Sequence, residues 1–492
     1  MTMTKPLGTQ VDFGDRFSIP TSASAPSSPS AGDMYYNTTD NIVYNYDGSA
    51  WGAIGGKDTT DMQTDIALLG FKVAANGSLA AYGLSKQTID AFEDTSGVDS
   101  GNSSNQIHNA SKYFTGALVG SETLQTWTSS TSWTVPTGVS TAEVFVVGGG
   151  GSGGTSYGGG GGGGGIVHHT SYSLTPGNSV TVTVGSGGAG VTNGTAGNNG
   201  GDSVFDTLTA KGGGRGGGVT SGTTGAAGGC GGGARYDSSS AYGSSNQASF
   251  SGATSYGNSG GNGFERGNQG SNNRWVSGGG GGAGGPAATA SDSQDGDGGS
   301  GLQSSISGSS VYYGAGGGGG SHNFEGAPNM AGEGGTGGGG NGGYASASGS
   351  NATGYGAGGG GGGSGSSGSG YQGIVYAKYT PLSYNNMTLV SNASTADSVP
   401  SYADIVMTYT NGAGTATINT DIKAYVSRDG GTTWTQATLS ADGTSGGHSI
   451  LVAHNIDISS QPSGTSMKYK IETLNQSASK ETRIQAVSLG WA

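Results

Sequence analysis

Apolar and polar residues change rhythm several times along this chain. In GDMYYNTTDNIVYNYDGSAWGAI they alternate, which predicts strands at Met34–Tyr36 and Ile42–Tyr46, with Asp47-Gly48 as a hairpin turn before Trp51. So small a unit is expected to borrow its core from neighbouring copies. Next, Met62, Ile66, Leu69 and Val73 are spaced four, three and four, an a/d seam on a short helix. Thr59 or Thr60 caps its start and Asn76-Gly77 its end. A narrow seam on a helix this short predicts self-association, most simply a trimer; packing on its own chain is the alternative. A second helical piece is expected in LSKQTIDAFED, with Leu84, Ile89 and Phe92.

Further on, WTVPTGVSTAEVFVVGGGG opens with a strand. GIVHHTSYSLTPGNSVTVTVGSGGAG adds two, joined at Pro176-Gly177; DSVFDTLTAKGGG adds another and GYQGIVYAKYT closes the region. From about Ser383 the alternation is continuous through ADIVMTYT, DIKAYVSRDGGTTWTQATL, HSILVAHNIDI, SMKYKIETL and RIQAVSLGWA, with a hairpin at Asp429-Gly430. This predicts an antiparallel β-sandwich over 383–492.

Between the bracketing strands lie glycine blocks at 148–151, 158–165, 212–214, 231–233, 278–282, 316–320, 337–340 and 358–363. The chain has 109 glycines in 492 residues and only 31% hydrophobic residues, so one ordinary core cannot run through it. Disordered chains are highly charged and poor in aromatics; this one is 10% charged and has 23 tyrosines, which argues for order. No G-X-Y period is present, so collagen is excluded. The blocks predict left-handed extended helices of three residues per turn, packed side by side and hydrogen-bonded through their backbones. Ordering each residue costs about 1–2 kcal/mol, more for glycine, so only a dense bundle on a strand base can offset it.

The segments between blocks are the recognition candidates. ARYDSSSAYGSSNQASFSGATSYGNSGGNGFERGNQGSNNRW offers Tyr236, Tyr242, Phe250, Tyr256, Phe264, Arg266, Arg274 and Trp275. Shorter segments offer Tyr312, Tyr313, His322, Phe324 and Tyr355. Aromatics among Ser, Asn and Gly give large contact area with few rotors, as in antibody loops, and suit stacking on sugar rings. The alternative is that these rings seal the bundle.

The aromatic hairpin resembles a short element repeated in bacteriophage tail-fibre proteins. DIALLGFKVAANGSLAAYGLSKQTIDAFEDTSGVD is similar to a segment common in phage tail fibres. WTVPTGVSTAEVFVVGGGG, LTPGNSVTVTVGSGGAG and GIVYAKY resemble a glycine-rich domain family of phage fibres and adhesins, and LNQSASKETRIQAVSLGW resembles C-terminal domains of phage tail proteins. The resemblance implies a mainly β, elongated trimeric fibre. Its parts are a tail-attachment segment with the hairpin (1–57), a helical coiled-coil trimerisation segment (58–130), a glycine-rich β and polyglycine-helix domain (131–382) and a C-terminal β-sandwich (383–492). It implies a receptor-binding protein of the virion, joined to phage tail or baseplate proteins by its N-terminus, whose glycine-region loops touch a bacterial surface receptor. The sandwich either binds sugar or holds the trimer together.

Charge and motif chemistry agree with a non-enzymatic role. The formal net charge is −13 and the 18 Lys and Arg form no cluster, so nucleic acid is not an expected partner. No run of about 18 apolar residues exists to insert into a membrane, and the polar start MTMTKPLGTQ has no apolar signal core. Cys230 stands alone, so no intrachain disulfide forms. VFVVGGGGSGG follows a strand but precedes no helix, unlike a phosphate cradle. The G-x-S-x-G matches at 257–261 and 443–447 lack the strand-to-helix setting of a nucleophile elbow. His168 and His169 point to opposite faces of one strand, and Asp292, Asp295 and Asp297 lack the EF-hand pattern. No metal or cofactor is expected. A polysaccharide-cutting tailspike, the enzymatic alternative, needs paired carboxylates on a repetitive β scaffold, which the sequence does not display; a purely structural spacer is the other alternative.

Overall fold

Among the described residues, alternating apolar positions build a mainly β fold with several sheets, no closed barrel and one helix. The computed structural model describes residues 20–39, 42–46, 48–54, 59–77, 81–84, 86–220, 222–237, 241–266, 274–294, 296–323 and 331–492. The chain divides into two compact units. The first takes Met1–Ala117, Asn385–Gln476 and Lys480–Ala492; the second takes Leu118–Tyr384 and Ser477–Ser479.

In the first unit, Met34–Asn37, Ile42–Tyr46 and Trp51–Ile54 form the aromatic meander. Tyr35 is 3% exposed, stacked on Tyr44 at 5.3 Å and edge-on to Trp51 at 4.8 Å, so the hairpin supplies part of its own core. Gly48 takes a φ of 102° at the expected turn; Asp47 lies outside the described residues.

The helix spans Thr59–Asn76. Its small face packs on the sheet below: Ala67 meets Val406, Ile450 and Val452, and Ala74 meets Ile89 and Ala91. A Cβ on Gly70 would lie 2.0 Å from Ile89 Cδ1, so glycine permits this close approach. A polar chain adds to the contact: Thr64 Oγ1 is 3.3 Å from His454 Nε2, His454 Nδ1 is 3.2 Å from Asp404, and Gln63 donates to Asp404 at 3.2 Å. The seam faces away. Met62, Ile66, Leu69 and Val73 are 45, 49, 62 and 46% exposed. Packing on its own chain and an outward seam are thus compatible, because they use different helix faces.

The second helical piece is a correction. In place of that helix, Ala81–Leu84 pairs antiparallel with Gln87–Asp90, and Gln87–Asp90 pairs with Glu481–Trp491. Pairing with a distant strand and burial of Ile89 at 0% exposure override local helix propensity. Phe92, past the strand, is fully buried edge-on to Phe114 at 4.9 Å; the side chain of Leu84 lies outside the described residues. Within 58–130 only Thr59–Asn76 is helical among the described residues.

The C-terminal alternation folds as a sandwich. One sheet runs Ser440–Ser445, His448–Asp457, Tyr402–Ala413, Glu481–Trp491, Gln87–Asp90, Ala81–Leu84; the other runs Met387–Val390, Ser466–Thr473, Ile422–Ser427, Thr435–Ala437. Met387, Leu389, Ile405, Met407, Ile471 and Leu489 fill the space between. Two strands of the first sheet come from before the glycine region, so the sandwich is not confined to 383–492. Asp429 closes the Ile422–Ser427/Thr435–Ala437 hairpin by accepting from the Thr432 and Thr433 amides.

In the second unit two sheets face each other. One runs Thr123–Trp127, Ile374–Tyr379, Thr141–Val147, Ile166–Ser173, Ala253–Tyr256; the other runs Thr131–Thr134, Ser179–Thr183, Ser203–Phe205, Leu208–Ala210. Val144, Val146, Val167, Val182, Phe205 and Val375 pack between them.

The glycine rows grow from this base. Row 148–154 leaves Thr141–Val147, turns at Ser156 and Tyr157, and returns as 158–165 into Ile166–Ser173. Row 158–165 is central. Its amides at 158, 161 and 164 donate to Gly362, Gly359 and Gly356; those at 159, 162 and 165 to Gly217, Gly214 and Lys211; those at 160 and 163 to Gly278 and Gly281. Its carbonyls accept from three other rows: Gly154, Gly151 and Gly148; Gly233 and Cys230; Gly320 and Gly317. All these bonds are 2.7–3.1 Å. The partner row repeats every third residue, so the central row is a three-residue helix with six hydrogen-bonded neighbours. Satisfying every backbone group of a buried segment is what offsets the ordering entropy of glycine.

Candidate functional site

Rows that start on a common base finish at a common far end. The turn at Tyr157 marks that end. Gly159 bonds Gly217, Gly158 bonds Gly362 and Gly320, and Gly160 bonds Gly233. The residues just beyond these rows therefore converge: Arg235 and Tyr236, His322, and Trp275 before Ser277.

A three-stranded sheet carries part of the cluster. Phe264–Arg266 pairs with Arg274–Val276, which pairs with Ser321–Asn323, placing Trp275 opposite His322. Trp275 stacks on Tyr236 at 4.8 Å with 13° between planes, lies 5.4 Å from Tyr157 and 5.6 Å from His322. Tyr157 meets His322 at 5.0 Å. Arg235 lies over the Tyr236 ring at 4.1 Å, donates to the Ser156 carbonyl at 3.0 Å and pairs with Asp237. Tyr236 is 9% exposed; Tyr157, Trp275 and His322 are half-buried.

Burial sets the electrostatics. It pushes the phenols of Tyr157 and Tyr236 up and His322 down, so all three are neutral near pH 7. Arg235 is balanced by Asp237, while the Glu265 carboxylate, opposite Trp275 in the sheet, acts on Tyr236, so the cluster is a shelf of uncharged rings with charged and polar edges. Such a surface suits the C–H face of a sugar or an apolar side chain.

The other predicted residues scatter. Phe264 packs on Val276 and Ala290, and Arg266 and Arg274 reach Asp292 at 3.3 and 3.7 Å, all beside the cluster. Tyr242 is 45% exposed, next to the row containing Gly232. Tyr313 is a correction: at 1% exposure it sits in the base against Phe145 and bonds Tyr376 at 3.2 Å, so it cannot meet a receptor. Tyr256 and Tyr355 pack on the same base core, and Phe250 on the core between the two facing sheets of the second unit. Tyr312 sits opposite Gln303 in a hairpin near that base. Phe324 lies outside the described residues. Tyr157 and Arg235 were missed by sequence reasoning. Tyr157 directly precedes the block 158–165 and Arg235 follows the block 231–233 after one alanine, and that position beside a glycine block was the available signal.

Residues weighed for other chemistry have structural partners. Asp292 serves the two arginines, Asp297 accepts from the Glu333 amide at 2.7 Å, and Asp295 lies outside the described residues. His168 pairs with Glu143 at 2.9 Å while His169 packs on Tyr172. Cys230 is fully buried in a row, its thiol pushed up to about 12 by burial.

Among known proteins, a family model described as a glycine-rich domain matches residues 123–380, more than half of the chain. No curated protein matches the chain.

Proposed function

The chain belongs to the glycine-rich domain family, and on that premise we propose that it is a non-catalytic attachment protein of a phage tail fibre, which binds a bacterial surface receptor with the far end of its glycine rows. The observation that carries this reading is the convergence of Tyr157, Tyr236, Trp275 and His322 at that end. Rows locked by backbone hydrogen bonds hold the rings in place before binding, so little entropy is lost on contact. The exposed seam of Met62, Ile66, Leu69 and Val73 supports a homotrimer. Three tips per fibre and several fibres per virion turn weak contacts into avidity. In this reading the N-terminal segment joins the tail or baseplate.

The test is binding of the fluorescently labelled full-length chain to a panel of bacterial strains. Trp275→Ala is expected to lower staining of the recognised strain about tenfold, the loss of one hot-spot ring. Point changes are preferable to excising 236–275, because Gly260 and Gly261 bond Gly243 and Gly279 inside the bundle. Unchanged staining by Trp275→Ala and Tyr157→Ala together sinks the proposal and leaves the spacer role.

A further inference from the structure

We propose that a second copy of this chain seats on the first unit beside the helix Thr59–Asn76, closing a cavity there as well as covering the seam. The cavity, of about 600 Å³, lies on the outer face of the sandwich sheet, along the N-terminal half of the helix. Gln63 and Ile66 of the helix form one wall, and Val406 and Gly490 of the sheet lie beneath. Ile66, 49% exposed, therefore belongs to the seam and to the cavity alike.

The helix itself shows on which side a partner must lie. At about 100° per residue, Met62, Ile66, Leu69 and Val73 centre roughly 125° round from the buried Thr64, Ala67, Gly70 and Ala74, rather than opposite them. The stripe leans toward Gln63, the flank that borders the cavity. Whatever covers the stripe thus overhangs the cavity as well. The occupant is a second copy because the four, three, four spacing makes the stripe complementary to itself. Charge agrees. The carboxylate inside the cavity, Asp404, is engaged by Gln63 at 3.2 Å, His454 at 3.2 Å and the Asn455 amide at 2.9 Å. Lys86 stands exposed on the rim, with no carboxylate within ion-pair distance among the described residues. Asp65 is exposed on the other flank of the helix, at the level of the cavity. Lys72 shares that flank but lies about two turns further on, past the cavity, which reaches only Gln63 and Ile66 of the helix. When parallel copies surround an axis, one flank of each meets the other flank of the next. Asp65 of one copy is then brought to Lys86 of its neighbour.

This contact rests on the homotrimer proposed above and extends it from the seam to the cavity. The experiment is sedimentation of the full-length chain, with thermal melts at dilution as the check on folding. A Cβ on Gly490 would meet nothing closer than 3.6 Å, so Gly490→Phe fills the cavity without disturbing the sheet. It is expected to weaken association about tenfold by excluding the neighbour, with the melt unchanged. Asp65→Lys and Lys86→Asp should each weaken association about tenfold, and the two together should restore it. This charge exchange decides the matter even where Gly490→Phe lowers stability. The proposal is overturned if Gly490→Phe sediments as the parent does, or if the double exchange stays as weak as either single change. If these variants keep the parent's mass while Ile66→Asp with Leu69→Asp loses it, the seam stands and the cavity contact alone fails. A parent that sediments as a monomer removes both.

Discussion

A single methyl group at the centre of the glycine rows tests the packing directly. In Gly161→Ala the new Cβ would lie 2.2 Å from the Gly151 carbonyl oxygen and 2.6 Å from its carbon, both backbone atoms. Relief requires rows 148–154 and 158–165 to part by roughly 1 Å, which stretches the Gly151 N–H bond to Gly162, now 2.9 Å, past useful length. Overpacking costs about 1–3 kcal/mol, and each buried backbone group left unmet about 1–3 kcal/mol more. The reduced freedom of alanine in the unfolded chain returns only about 0.4–1 kcal/mol. With both the donor and the acceptor of that bond unmet, the net loss is roughly 2–8 kcal/mol, a large share of a domain's stability of about 5–15 kcal/mol. The control is Gly285→Ala, whose Cβ would meet only the Ser300 hydroxyl, at 3.1 Å. The assay is amide exchange over 148–165 and 356–362, with thermal melts of both variants. Protection in those rows should collapse in Gly161→Ala and persist in Gly285→Ala. If the two variants melt and exchange alike, the rows are not close-packed and the account of glycine's role is wrong.

Asp90 is 3% exposed and burial raises its carboxyl from 3.8 to about 7, although the Phe92 amide and the Tyr469 hydroxyl bond to it. With the folded value raised, its favourable contribution is full below about pH 4 and is lost as pH rises through about 7. Asp90→Asn should therefore match the parent near pH 4 and exceed it by a few kcal/mol above pH 7, read by exchange of the strand Glu481–Trp491; equal stability at pH 8 would refute the assignment. On the proposed trimer, Ile66→Asp with Leu69→Asp puts charges into the exposed seam, so the parent should sediment as a trimer and the variant as a monomer; equal mass for the two would exclude the seam as the interface. Cys230 should resist thiol reagents in the native chain and react only on unfolding, because it is buried with its thiol pushed up to about 12; rapid native labelling would show that the rows open.

Several elements were legible from local pattern. Met62 to Val73 predicted both the helix and its outward stripe, since a period of 3.6 places those residues on one face whatever lies opposite. Runs such as VFVV and SVTVT predicted their own strands, because alternation or continuous β-branching suits a pleated, half-buried surface. Glycine blocks without Cβ atoms predicted close-packed extended rows, since no other residue allows backbone to meet backbone at this distance.

Tertiary structure decided what depends on partners far apart in the chain. Gln87–Asp90 became a strand because Glu481–Trp491 offered a free edge, some four hundred residues away. Tyr313 went into the base while Tyr157 went to the far end of the rows, although both flank glycine blocks, because row direction decides which end a residue reaches. The aromatic shelf exists only where separate rows end together, and the cavity beside Ile66 only where a helix lies across a sheet. Local patterns select backbone shape through short-range sterics and burial. Long-range hydrogen-bond pairing selects which ends meet, and no single segment carries that information.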